Sequence, residues 1–370
     1  MYKWKKQELL AKKILASILN KKDIKDHYDL ILRQMDLSEK KFNLEDILIL
    51  NKKEEINYFE ALRRFTTGLE YLSEDIYLSM AEIFMMIEDH EALRHFLKLP
   101  KYKLNEQELI DIVSEMIYSF NIKEFNEIYK RIINPKLHQL NIQNNINETI
   151  GAVECINGIT LIDPLFKKSY INIFRNYTLE DVEVLFHEVM HAIFYELMRK
   201  HYKMNKNNIY LLQELEGQFA SLYSYDYLSS IGYKSEAKLL KKDYIDGILT
   251  SSFLIIVNHV LFATSINQKF DLSAASKRMN EQLRYPIILT EEQLSECLNI
   301  NGLVTLTTMI SSLISMEIID KEISLQDKIE LLYNLKLDDS IKLDDNMKKY
   351  NVDFKANNFK TLIKTYKELH

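Results

Sequence analysis

Glycine and proline are scarce, at seven and four in a chain of 370 residues. Sandwiches of short strands, collagen-like repeats and flexible linkers need those residues at bends, and their shortage argues against all three. Cys155 and Cys297 are the only cysteines, too few for a disulfide framework or a thiolate metal cluster. Positive charge is not in excess either. Lys and Arg total 48 against 54 Asp and Glu, whereas a nucleic-acid groove needs a local positive field, so no nucleic-acid partner is expected. The N-terminal run MYKWKKQELLAKK lacks an apolar core of signal-peptide length, which points to a cytoplasmic protein. Two uncharged stretches, Ile248–Ile266 and Ile300–Met316, approach membrane-spanning length. Both are interrupted by polar groups such as Thr250, Asn258, His259, Asn301, Thr305 and Ser311, so they read as buried core helices and no membrane is expected.

What is present is amphipathic helix. Hydrophobic residues make up 47% and charged residues 28%, enough for a buried core under a charged surface. Apolar side chains recur at helical spacing over 5–20, 54–71, 74–98, 105–132, 179–203, 209–230, 233–268, 290–299, 302–319 and 355–369. One stretch departs from that period. GAVECINGITLIDP (Gly151–Pro164) has two β-branched runs around Asn157-Gly158, the strongest short hairpin signal because both turn positions need φ > 0. Ser169–Phe174 is a third candidate strand. The expected class is mainly α with a small β-sheet or hairpin. The expected organisation is an N-terminal helical region over 1–104, a core over 105–336, then a polar linker and terminal helix over 337–370.

Chemistry is concentrated in YTLEDVEVLFHEVMHAIFYELMRK. Thr178, with Asp181 three residues on, resembles a capping-box start. Val182, Leu185, Phe186, Val189, Ile193 and Leu197 supply the apolar stripe of a helix. His187 and His191, at i and i+4, project from one face, and Glu188 is offset by one position, the HExxH pattern of zinc peptidases. Two neutral imidazoles at that spacing reach one Zn²⁺, while the adjacent carboxylate is placed to deprotonate water. With nine histidines in the chain, chance yields the pattern on the order of 0.02 times per chain of this length.

A third ligand must come from elsewhere. The helical run NNIYLLQELEGQFASLYSYDYL offers Glu214 and Glu216. Glu214 is preferred, because Gly217 one turn on permits close approach and Gln218 shares that face as a hydrogen-bonding partner for a ligand histidine. From Glu216 the matching positions are Phe219 and Ala220, which offer no polar partner.

The runs NYTLEDVEVLFHEVMHAIFYELM and LLQELEGQFASL resemble the catalytic core of the oligoendopeptidase F and thimet oligopeptidase family. The resemblance implies a helical, clam-like zincin fold with a deep channel, one Zn²⁺ per chain and short peptides as substrates. GAVECINGITLIDP is similar to the substrate-cradling strands of those enzymes, which implies that Gly151, Ala152, Val153 and Glu154 bind substrate by backbone pairing. The resemblance implies that part of the family's N-terminal lobe is missing, so that one channel wall is expected to be reduced or supplied by a second copy in a homo-oligomer. It also departs from the family in its late Tyr- and His-rich stretch. The corresponding Leu298–Ile318 has neither residue type, and losing an oxyanion donor costs about 2.7–4 kcal/mol of transition-state stabilisation. Tyr223, Tyr225, Tyr227 and His259 are the candidate substitutes, and Met190 stands where relatives carry glycine. The expected activity is zinc-dependent hydrolysis of short peptides. The alternatives are a peptidase dedicated to one leader, signal or bacteriocin-type peptide, and a zinc-containing peptide-binding protein with weakened catalysis. Ordinary structural roles are expected for His90, His95, Cys155, Cys297 and Trp4.

Overall fold

The computed structural model describes residues 104–137, 139–144, 157–163, 168–198, 212–264, 271–282, 302–337 and 343–352, with a few single positions besides. The helices expected over 5–20, 54–71, 74–98, 290–299 and 355–369 fall, apart from such single positions, outside the described residues. So do Trp4, His90, His95, Cys155 and Cys297. The described residues up to Met198 lie in one compact unit and those from Leu212 onward in another.

In the first unit, Asn105 and Glu108 close a reciprocal capping box, Asn105 Oδ1 accepting from the Glu108 N–H at 2.9 Å and the Glu108 carboxylate from the Asn105 N–H at 2.6 Å. The helix this starts, α1 (Glu106–Ser119), buries Leu109, Val113, Met116 and Ile117. The single helix expected over 105–132 is in fact two. Asn121 adopts φ 54°, a left-handed conformation that asparagine tolerates better than most residues, and α2 (Lys123–Ile132) restarts beyond it.

Three strands follow: β1 (Leu140–Asn144), β2 (Gly158–Asp163) and β3 (Lys168–Arg175), in the order β1-β3-β2. β1 runs parallel to β3 and β2 antiparallel to it. Residues 169–173 of β3 are all buried, the mark of a strand covered on both faces. β2 and β3 pack on α3 (Glu180–Met198), which α1 and α2 also touch. Phe120 stacks on Phe186 at 6.0 Å between centroids, and Phe125 meets Phe194 edge-on at 5.8 Å. The helix that carries HExxH is therefore the centre of its unit.

The expected turn at Asn157-Gly158 is not there. Gly158 is the first residue of β2, opposite Ile173, and the Asn157 carbonyl accepts from the Phe174 N–H at 2.8 Å. The antiparallel reversal lies instead between Asp163 and Lys168.

The second unit contains α4 (Leu215–Ser230), α5 (Lys234–Ala263), α6 (Leu272–Gln282), α7 (Gly302–Asp320), α8 (Leu325–Leu337) and α9 (Leu343–Lys349). α4 is buried without interruption from Leu215 to Leu222 and packs on both α5 and α7. Gly232 at φ 113° ends it in a Schellman turn, the Tyr233 N–H bonding the Leu228 carbonyl at 3.0 Å. The uncharged stretch in α7 is core, with Ile310, Leu313 and Ile314 fully buried. Among the described residues no helix is long and apolar enough to cross a membrane. Part of the expected polar linker is helix α9, because Leu343 and Met347 are buried and Asn346 donates to the Leu335 carbonyl at 2.8 Å.

Candidate metal centre

Helix α3 starts from an elaborate N-terminal arrangement. Thr178 Oγ1 accepts from the Glu180 N–H at 3.3 Å, a weak version of the expected cap. Asp181 reaches further back than a capping box would, accepting from the N–H groups of Asn176 (2.8 Å) and Tyr177 (3.0 Å) and from Arg175 Nε (3.3 Å). Tyr177 sits at φ 57° with the Arg175 guanidinium 4.6 Å from its ring centroid. Burial pushes the Asp181 carboxyl above the ordinary carboxylate range, although the Asn176 amide, Arg175 and the Tyr177 amide all pull the other way.

Two turns into α3 the motif residues appear as their spacing predicts. His187 and His191 are half-buried, with Nε2 atoms 3.0 Å apart and ring centroids 4.7 Å apart at 75°. Phe186, Val189, Met190 and Ile193 around them are fully buried, so Met190 is a packing group in the core. Glu188 is 8% exposed. β2 crosses α3 here, and Thr160 Oγ1 donates to the Glu188 backbone carbonyl at 2.8 Å.

In the second unit the two candidate glutamates have different surroundings. Glu214 is half-buried at the N-cap position of α4, where its carbonyl accepts from the Gln218 N–H at 2.9 Å and its carboxylate makes no capping bond. Glu216 is buried and ion-paired with Lys336 of α8, whose ammonium also donates to the Gln213 carbonyl at 3.4 Å. Gln218 uses its Oε1 within the helical core, accepting from Tyr244 at 2.8 Å and Ser312 at 2.9 Å. His187, His191 and Glu214 are a group able to hold a metal ion.

The expected substrate strand, Gly151, Ala152, Val153 and Glu154, lies outside the described residues, as does the side chain of His259. Tyr225 is buried edge-on against Tyr244, at 5.7 Å. Tyr223 and Tyr227 are half-buried and continue a ladder from Phe219, with centroid separations of 6.4 and 6.3 Å. Sequence reasoning did not pick out Thr160 and Lys336. Thr160 carries a weak signal, a hydroxyl on a strand shortly before the HExxH helix; Lys336 carries none, since 120 residues separate it from Glu216.

No protein-family model matches the sequence, and no curated protein matches it. The fold is similar to those of solved peptidase structures. A chain described as an oligoendopeptidase F from Bacillus anthracis str. Ames aligns with a TM-score of 0.56 at 12% identity, over 80% of this chain and 56% of its own. PZ peptidase A with an inhibitor gives 0.53 at 12%, over 84% and 58%. A chain described as a peptidase from Chlamydophila abortus gives 0.54 at 15%, over 99% and 63%. This chain thus spans less than two thirds of the length of each. At such identities the likeness is one of fold, a mainly helical protein with a small sheet beside one helix, as the sequence resemblance implies.

Proposed function

We propose that the protein is a zinc-dependent metallopeptidase that hydrolyses short peptides, with His187, His191 and Glu214 holding one Zn²⁺ and Glu188 moving the proton. The observation that carries this reading is the state of Glu188. It is a buried carboxylate, next in sequence to one of two imidazoles whose nitrogens lie 3.0 Å apart, and it is not consumed by any ion pair among the described residues. The donor set fits zinc: two nitrogen ligands of a tetrahedral Zn²⁺ stand roughly 3.3 Å apart, and a carboxylate completes a three-ligand set that leaves one position open. Glu216 does not compete for the role, because Lys336 already neutralises it.

Zinc bound there supplies the Lewis acidity that polarises a peptide carbonyl and activates water near neutral pH. The chain's own part begins with Glu188, whose carboxylate accepts the attacking water's proton and returns it to the leaving amine. Phe186, Val189 and Ile193 keep the metal face partly dry, which strengthens each polar contact made to the reacting atoms. An extended peptide would pair with the segment near Gly151–Ile156, whose β-branched sequence is the basis for expecting a strand there. A cytoplasmic location and assembly of a second copy belong to the same proposal.

The test is a peptide-library cleavage profile on zinc-loaded protein with and without chelator. Cleavage abolished by the chelator and restored by zinc is expected; no cleavage in either condition overturns the reading. One observation favours a second reading. The described part of the late stretch, within α7, turns Ser311, Ser312 and Ser315 inward as fully buried packing groups, which leaves that helix no exposed donor at these positions. A zinc-holding peptide binder with weak turnover would show micromolar binding of intact peptides and only slow cleavage of each.

A further inference from the structure

We propose that Gly158 is a positioning residue for the Glu188 carboxylate. The inference rests on the reading of Glu188 as the proton-transfer group. A Cβ built on Gly158 would fall 2.6 Å from Val184 Cγ1, 2.9 Å from Glu188 Cγ and 3.2 Å from Glu188 Oε1. The first two separations are shorter than real Cβ contacts, so any side chain at 158 must displace the groups it faces. The backbone does not ask for glycine on its own account: among the described residues Gly232 is the only glycine with positive φ, and Gly158 pairs with Ile173 as ordinary strand. The remaining reason is close approach of backbone to side chain.

A second contact fixes the same residue. Thr160, two positions along β2 and so on the same face, donates Oγ1 to the Glu188 carbonyl at 2.8 Å. β2 therefore grips Glu188 twice, by its main chain through Thr160 and by its side chain against bare backbone at Gly158. A carboxylate that must meet a water in one geometry gains from such confinement, since supporting contacts have to hold a catalytic group within about 0.5 Å.

The experiment is Gly158→Ala read in kinetics, zinc content and stability. Displacement of the carboxylate is expected to lower kcat about 100-fold, with KM little changed and one zinc per chain retained. In a Glu188→Gln background the same substitution should cost almost nothing further, whereas a merely structural role would carry the full loss into that background and overturn the proposal. Val184→Ala removes the nearer obstacle and guards against a misplaced strand; if it restores full activity to Gly158→Ala, Val184 is the group displaced and the proposal fails. Thermal unfolding gives a readout that needs no activity. In the Val184→Ala background, Gly158→Ala should lower Tm when residue 188 is Glu and leave it unchanged when Glu188 is replaced by Ala. Absence of that coupling overturns the positioning role whether or not peptides are cut. Coupling present in a protein that cuts no peptide overturns the peptidase reading instead, which keeps the two failures apart.

Discussion

Two glutamates on two helices are buried to a similar degree and treated in opposite ways. Glu216, 3% exposed, is neutralised by Lys336, itself anchored to the Gln213 carbonyl. Glu188, 8% exposed, has no ion pair and no carboxylate hydrogen bond among the described residues. A buried charge is tolerable when a partner and further hydrogen bonds replace water, and costly when they do not. Glu216 follows the rule for a stable interior. Glu188, next to two close imidazoles, has no such partner among the described residues, and its carboxylate oxygens are not sealed from solvent. The comparison separates a carboxylate neutralised by a lysine from one without a charged partner among the described residues.

Removing the metal should sharpen the difference most. His187→Ala and His191→Ala are each expected to lose zinc, measured on purified protein by metal analysis, and with it all peptide cleavage, while the Glu216–Lys336 pair and the unit around it remain folded. Glu188→Gln comes next. Zinc should stay at one per chain while kcat falls by about 10²–10⁴, the usual share of a general base. Unfolding by urea should show this variant close to the parent in stability, because among the described residues no ion pair or carboxylate hydrogen bond is lost. Full activity in Glu188→Gln would break the comparison outright.

The opposite pattern is expected at the other glutamate. Lys336→Met leaves Glu216 buried without its cation, which should destabilise the protein by about 3–5 kcal/mol, read from denaturant midpoints, while activity per folded molecule is kept. Glu216→Met added to Lys336→Met should recover most of that loss, since a well-packed apolar pair often matches a buried ion pair. If Lys336→Met instead removes activity at full stability, Glu216 belongs to the site and the choice of Glu214 is wrong.

How far these roles can be read along the chain depends on how local their causes are. His187, Glu188 and His191 share one helical turn, so the 3.6-residue period alone brings them together. The helical class was equally legible, because Val182, Leu185, Phe186, Val189 and Ile193 repeat the period that packing requires. Asn157-Gly158 misled, since the dipeptide is a turn signal on its own and what places Gly158 in β2 is its pairing with Ile173 of β3, 15 positions on. The break at Asn121 was hidden by apolar residues on both sides that keep helical spacing. α8 and α9 were missed because their polar faces outweigh short buried stripes, Ile329, Leu332 and Leu335 in the one, Leu343 and Met347 in the other. Pairing of Glu216 with Lys336 follows from tertiary packing alone, so no window of sequence contains it.

Asp181 supplies the smallest effect and an intermediate case. Two backbone N–H groups and Arg175 satisfy its carboxylate, yet burial prevails and raises its pKa from the ordinary 3.8. In the window above 3.8 the folded protein holds a proton that the unfolded chain has released, so it binds more protons and its stability falls as pH rises. The contribution is complete below the unfolded value and is lost as pH climbs through the folded one. Asp181→Asn removes the titration. It also turns an amide N–H₂ toward Arg175 or a backbone donor, so the parent should be the more stable at acid pH. The gap between parent and Asp181→Asn, measured by urea midpoints from about pH 4 to pH 7, should shrink toward neutrality. A gap that widened instead would mean that Arg175 and the two amides outweigh burial, which would class Asp181 with the fully neutralised Glu216.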